Sequence, residues 1–313
     1  MSLPKIFSIL ILIAVLGAGF FFFWKSREID PAAIVKSKNA NDPLSPVELS
    51  EHILEQGDTL FIKIKNATSS PEISGKFGKE KINFFQRGVF GDIVAIVGID
   101  AKASPGKYNL AISLPDGKSF KKEIFVTKRE FPVTDLKITK ELEAKGFTPS
   151  KIVKNIVGKE KPALDSVLKV FTPEVYFAGA FLRPLKEIKI GGEFGNIRKK
   201  GAVKFQHLGV DLEAPVGTPV QAANDGVVSF SEELDTYGKT LVVNHGIGIY
   251  SLYLHLSKIE KKPGEFVEKG EVIAFSGNTG YSIQPHLHFS IKVNGANVDP
   301  LRFILTAEQY LPR

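Results

Sequence analysis

No cysteine occurs anywhere in the 313 residues. That absence excludes a disulfide framework, a thiolate metal site and a cysteine nucleophile, and it leaves imidazole and carboxylate as the only strong metal ligands. It carries no message about compartment, because a thiol-free chain is safe in any redox environment. Methionine is confined to Met1, and histidine is scarce at six residues. Where those six fall is therefore informative.

A formal charge of +7 invites a nucleic-acid reading, but no basic stripe interleaved with aromatics supports it. From residue 171 onward 15 basic side chains balance 15 acidic ones, so the surplus lies upstream. A mild excess there fits anionic lipid or an anionic wall polymer better than a phosphate backbone. Only one long apolar run exists, residues 6–24, uncharged and flanked by Lys5 on one side and Lys25 and Arg27 on the other. Its length is close to the roughly 20 residues that cross a bilayer as a helix. Gly17, Ala18 and Gly19 could serve a signal-peptide cleavage site, yet four phenylalanines and Trp24 carry the run past them. An uncleaved N-terminal transmembrane anchor over 1–30 is expected, and with no cysteine behind it a lipoprotein anchor is excluded.

Four of the six histidines sit in three short pieces: H-L-G-V-D (His207, Asp211), S-L-Y-L-H-L (His255) and P-H-L-H-F (His286, His288). Residues two or four apart on a strand share a face. By that rule His207, Gly209 and Asp211 point one way, as do Tyr253 with His255 and His286 with His288. The interleaved Leu208, Val210, Leu252, Leu254, Leu256, Leu287, Phe289 and Ile291 are expected to face a core. Neutral nitrogen donors, one anionic oxygen and spare bases opposite an apolar face make up the donor inventory of a zinc hydrolase. An isolated strand histidine is more often hydrogen-bonded and half-buried than a ligand. His52, in a polar helical or turn stretch, and His245, at a strand end in V-N-H-G, receive that plainer reading.

Organisation along the chain follows from changes of period. Residues 31–45 are polar and Pro-containing and read as a linker. From 46 to 128 the pattern alternates: Leu60, Ile62 and Ile64, then Tyr108, Leu110, Ile112 and Leu114, with Pro115-Asp116-Gly117 turning one strand into the next. This is the pattern of a small immunoglobulin-like β-sandwich. Over 129–171 the period lengthens to that of a helical connector packed between two β units. One helix stops at Gly146, a second runs from Thr148-Pro149 through Val157, and a third apolar piece spans 163–171. The rest, 172–313, is rich in β-branched residues and glycine turns. Two pieces in it, beginning Pro215-Val216-Gly217 and Pro263-Gly264, are alike. Biotinyl and lipoyl carrier domains also use such a repeat, but a carrier needs an exposed lysine flanked by small residues or Met. Lys269 in V-E-K-G lies inside the glycine turn, and that reading leaves four histidines without a task.

The run from E-F-G-N-I-R (193–198) through H-L-G-V-D, G-T-P-V-Q-A-A-N-D-G-V-V, S-L-Y-L-H-L and G-N-T-G to P-H-L-H-F and V-D-P resembles the lysostaphin-type (LytM-like) zinc endopeptidases acting on peptidoglycan. The upstream sandwich resembles the accessory domain of membrane-anchored members. What the resemblance implies is a mainly β chain whose 172–313 part is an antiparallel β zinc peptidase domain. It implies Zn2+ held by His207, Asp211 and His288, with His255 and His286 flanking a water as general base and oxyanion stabilisers. The fully extended separation of His207 and Asp211, about 13 Å, requires the strand to bend at Gly209 or the side chains to converge. The implied substrate is a peptide stem or cross-bridge of the bacterial cell wall. The body would then lie on the extracytoplasmic side of the bacterial cytoplasmic membrane, with no nucleic-acid partner. The family's small residue and glycine before P-H-L-H are replaced here by Ser282-Ile283-Gln284-Pro285, which bears on substrate preference. A relative that has lost catalysis and binds peptidoglycan or activates another hydrolase is the alternative, and the complete set of five residues argues for the enzyme.

Overall fold

The computed structural model describes residues 45–65, 72–86 and 92–311. The expected anchor (1–30) and all but the last residue of the expected linker (31–45) lie outside them. Among the described residues no helix is long and apolar enough to cross a membrane. The described chain is mainly β with few helices.

Nine strands from Val47 to Thr127 form two sheets. One holds Val47–Leu49, Thr59–Ile64, Ile93–Gly98 and Phe84–Gln86. The other holds Ile53–Glu55, Ser119–Thr127, Gly106–Ser113, Ser74–Phe77 and Glu80–Ile82. The alternation read from the sequence sets the register. Leu60, Ile62, Ile64, Leu110 and Ile112 face inward between the sheets, and Ser113 pairs with Ser119 across the Asp116-Gly117 turn. The first sheet is covered on its other face as well. Phe61, Phe85, Val94 and Ile96 join one apolar core with Phe177, Phe181 and Phe303 of the C-terminal part, and Phe85 meets Phe177 edge-on at 5.6 Å. At the border Arg129 pairs with Asp299 at 3.0 Å, and Arg302 reaches Glu55 and Asp58 at 2.8 Å. Asp299 also caps the helix Pro300–Tyr310. The sandwich therefore packs directly on the C-terminal part, and the connector does not lie between the two, contrary to expectation.

The connector departs from expectation in two more ways. It begins as a strand, Val133–Asp135, which adds in parallel to Ile197–Lys200, because an open edge offers its backbone partners. Its first helix, Lys140–Ala144, is capped by Thr139 and closed by Gly146 at φ 79°. The second and third expected helices are one continuous run. Pro149–Asn155, capped by Thr148, passes through a π-helical turn at Ile156–Glu160 into Lys161–Leu168. Pro162 lacks an N–H and would press its ring on the preceding turn of an α-helix, and the wider π turn provides the room. Leu164 and Leu168 pack on Phe230, Val242, Tyr250, Leu252 and Leu254. The connector thus lies across one face of the C-terminal sheet.

That sheet is antiparallel throughout its main path: Ile190–Gly192, Val210–Glu213, His286–Val293, Ile249–Leu256, Gly238–Gly246, Gly226–Leu234 and Phe266–Val267, with Ala296–Val298 paired to the third strand. The two similar sequence pieces pair with each other reciprocally. Pro219 lies opposite Phe275, and Gly226 opposite Val267. A repeated strand-turn-strand unit thus closes on its own copy. Lys269, the residue a carrier would modify, is tied down there, its backbone N–H donating to Asp225 Oδ1 and its ammonium to the Ala180 carbonyl.

Candidate metal centre

Asp211 lies directly across from His288 on neighbouring antiparallel strands, so the two side chains share a face. His207 reaches them from the break between Val203–Gln206 and Val210–Glu213. The chain closes up at Gly209, as the spacing requires. A Cβ there would collide with Ser290 Oγ, the Phe289 carbonyl and His288 Nε2, so only glycine lets this backbone lie against the histidine strand. His207 Nε2 ends 2.8 Å from Asp211 Oδ1 and 2.9 Å from His288 Nδ1, and His288 Nδ1 is 2.9 Å from the same carboxylate oxygen. Among the described residues this trio is the group of three or more His, Asp or Glu side chains able to hold one ion.

The other ring atoms are fixed so that these three atoms carry lone pairs. His207 Nδ1–H donates to the Glu193 carbonyl at 2.8 Å, and His288 Nε2 lies 2.8 Å from Ser290 Oγ. Such outer contacts set the tautomer and hold the ring in place. Burial pushes His288 down to about 4, which keeps it neutral near pH 7. Burial alone would raise the Asp211 carboxyl, but the facing His207 and His288 hold it well below the usual carboxylate range. Two imidazoles and one carboxylate, with no fourth donor grouped with them among the described residues, fit a metal that keeps an open position.

His286 stands on the face of His288, its Nε2 3.5 Å from Asp211 Oδ1, and its Nδ1–H donates to the Gln284 carbonyl at 2.8 Å. Its ring is 4.8 Å from that of His255, which in turn is 6.1 Å from that of His288. His255 Nδ1–H donates to the Thr279 carbonyl at 2.9 Å, leaving Nε2 free to accept. Burial, then the nearby His286 and His288, hold His255 well below its ordinary value of 6.5, so it is a neutral base. All five expected residues are therefore brought together.

The route by which His255 arrives corrects the strand reading. Tyr253 does not share its face. The Tyr253 ring packs in the core on Phe289, and its hydroxyl accepts from Ala223 N–H. Leu252 and Leu254, expected in that core, lie opposite Ser290 and His288 and pack beneath the connector helix. The cause is a β-bulge. Tyr253 pairs with Leu241 and Leu256 with Lys239, so Leu254 and His255 together oppose Thr240 alone. His255 takes a left-handed φ of 61°. An inserted residue re-aims one side chain without disturbing the rest of the strand.

Arg198 was not singled out by the sequence reading. Its Nη2 donates to Asp211 Oδ2 at 2.7 Å, on the oxygen turned away from the histidines. A buried carboxylate calls for a cation, and the strand Ile197–Lys200 supplies one. The plainer readings of the other two histidines hold in part. His245 is buried at a strand end with Nδ1–H donating to the Asp225 carbonyl at 2.8 Å. His52 is buried in a bend, not a helix, and neither ring nitrogen has a hydrogen-bond partner. The metal centre opens on a groove of about 990 Å³ between the sheet face and the connector.

A three-donor, open centre flanked by two further imidazoles has the donors and spare bases that metal-assisted hydrolysis uses. Residues 205–300 match Peptidase family M23. The chain is 43% identical over 99 residues to DD-carboxypeptidase/endopeptidase Mpg of Neisseria meningitidis, covering 32% of this chain and 23% of that protein. It is 39% identical over 136 residues to peptidoglycan DD-endopeptidase ShyC of Vibrio cholerae, covering 42% and 31%. The chain thus spans about a quarter to a third of the length of these curated relatives. An M23 peptidase structure from Pseudomonas aeruginosa superposes with a TM-score of 0.57 at 23% identity, covering 81% of this chain and 95% of that one. That likeness concerns the fold, and its 81% coverage reaches beyond residues 205–300.

Proposed function

We propose that the chain is a zinc-dependent endopeptidase that hydrolyses peptide cross-links of bacterial peptidoglycan. The observation that carries this reading is the convergence of His207 Nε2, Asp211 Oδ1 and His288 Nδ1, with His255 and His286 beside them, at the floor of an open groove. The relatives' names supply the substrate class.

His207, Asp211 and His288 would hold the zinc. Zinc bound there would supply Lewis acidity, polarising a substrate carbonyl and lowering the pKa of water toward about 7. His255, neutral and with Nε2 unengaged, accepts the proton of the attacking water. His286, with Nδ1–H committed to Gln284, presents Nε2 to the reacting centre, where its protonated form stabilises the oxyanion or delivers a proton to the leaving amine. The two roles are shared between the imidazoles. Arg198 holds Asp211 by its outer oxygen, Oδ2, so that the inner oxygen, Oδ1, stays turned toward His207 and His288. Residues 6–24 support a further part of the reading: a single-pass anchor that keeps the enzyme on the wall side of the bacterial cytoplasmic membrane.

Incubation of the protein with purified peptidoglycan, followed by separation of released muropeptides, tests this. Cross-linked dimers should fall and monomers rise, and a chelator should stop the conversion. Intact cross-links in the presence of stoichiometrically bound zinc would favour a silent, binding or activating protein of the same fold.

A further inference from the structure

The histidine strand does not end at the metal. Ser290 and Lys292 follow His288 on the same face, and both line the groove. Four residues at roughly 3.3 Å each put Lys292 about 13 Å along the strand from His288. Its ammonium donates to Asn297 Oδ1 at 2.5 Å. Among the described residues no carboxylate forms an ion pair with it. The two carboxylates in its field are engaged elsewhere: Asp100 accepts from the Asn297 backbone and side chain at 2.7 and 2.8 Å, and Asp165 is paired with Lys161 and Lys169. Burial lowers the Lys292 pKa, the mark of a cation short of compensation.

Lys292 is half-buried, and an ammonium that gives up part of its water without a charged partner is costly. Lys292 has one hydrogen-bond acceptor for three donors, and the groove is where the rest can be met. The setting carries a positive surplus. Away from the metal centre, six lysines against three carboxylates line the groove. The sandwich contributes Lys102 to this end and the connector contributes Lys161, so all three parts of the described chain build it.

We infer that Lys292 is a specificity-determining residue that receives a carboxylate of an acidic peptide lying along the groove, about 13 Å from the bond to be cleaved. Resting on the endopeptidase reading, this adds that the substrate is anionic and is bound through charge at a second point. The strand fixes the spacing: an extended peptide with its scissile carbonyl at the histidines runs along the histidine strand toward Lys292 past Ser290, beside the connector helix.

The test is binding of a synthetic stem, L-Ala-γ-D-Glu-meso-diaminopimelate-D-Ala, which has no cross-link to cut, and of the same stem with its side carboxyls amidated. Calorimetry on the full chain should show the acid bound at least about tenfold tighter than the amide, the size of one charge-assisted contact. Lys292→Gln, which can still bond Asn297, should bring the two within about twofold, and Lys292→Arg should keep the preference. Equal affinity of the wild-type protein for both stems, or an unchanged preference in Lys292→Gln, overturns the inference. Failure of the endopeptidase reading looks different: cross-links stay intact while the wild type still prefers the acidic stem.

Discussion

Replacing His255 by glycine and by alanine should reverse the usual order of stability. At most strand positions glycine is the worse residue by about 0.5–1 kcal/mol, because its unfolded chain has more freedom to lose. At 255 the backbone is left-handed, with φ 61°, a conformation that costs a residue with a Cβ about 1–2 kcal/mol and glycine nothing. Both variants lose the same hydrogen bond to the Thr279 carbonyl, about 1 kcal/mol, so that loss cancels in the comparison. The remainder places His255→Gly about 0.5–1 kcal/mol above His255→Ala, a melting difference of roughly 1–4 °C for a unit of this size. Both should bind zinc stoichiometrically and lose turnover by about 10²–10⁴-fold, the contribution of a positioned base. Thermal unfolding of the zinc-loaded variants reads the first quantity, and metal analysis with a muropeptide assay reads the others. An alanine variant more stable than the glycine one would refute the bulge. Loss of zinc from either would make His255 a ligand.

Gly209→Ala should disable the centre from a position that touches no substrate. Its Cβ would meet the Phe289 backbone carbonyl as well as His288 Nε2, so about 1–3 kcal/mol of stability and most zinc affinity should go together in unfolding and metal titrations. Arg198→Met should weaken zinc binding about 10–100-fold, the usual effect of removing a partner that orients a ligand, and competition with a chromogenic chelator measures it. His245 gives a pH signature. Burial lowers its pKa from 6.5 to about 4, so the unfolded chain takes up a proton that the folded one refuses. Its effect is absent above pH 6.5 and grows by about 1.4 kcal/mol per unit as pH falls, to roughly 3 kcal/mol below pH 4. Urea unfolding of the wild type should therefore weaken more steeply over that window than that of His245→Gln, and parallel curves would contradict it.

How far the sequence went depended on whether period and partner coincided. Leu60, Ile62 and Ile64 alternate in the chain and in the sandwich core alike, and Asp116-Gly117 turns where turn chemistry says it should. The five residues of the centre were legible because four of only six histidines fall in three short motifs, one of which, H-L-G-V-D, carries Asp211. The face of Tyr253 was not, since alternation cannot register the extra residue of a bulge, and the backbone conformation of His255 is what reverses it. The apolar period of 163–171 shows an apolar side but not its partner, and tertiary packing places the helix Lys161–Leu168 over Leu252 and Leu254. Arg198 and Lys292 are ordinary charges by sequence. They matter because of what the fold sets beside them, the Asp211 carboxylate for Arg198 and the open groove for Lys292.

The most direct measurement is bound zinc and cross-link hydrolysis on the same preparations of wild type, His288→Ala and His255→Ala. The wild type should hold one zinc and convert dimeric muropeptides to monomers, His288→Ala should lose both metal and conversion, and His255→Ala should keep the metal and lose conversion. Full metal content in His288→Ala, or undiminished hydrolysis by His255→Ala, would contradict the division of this site into ligands and proton handlers.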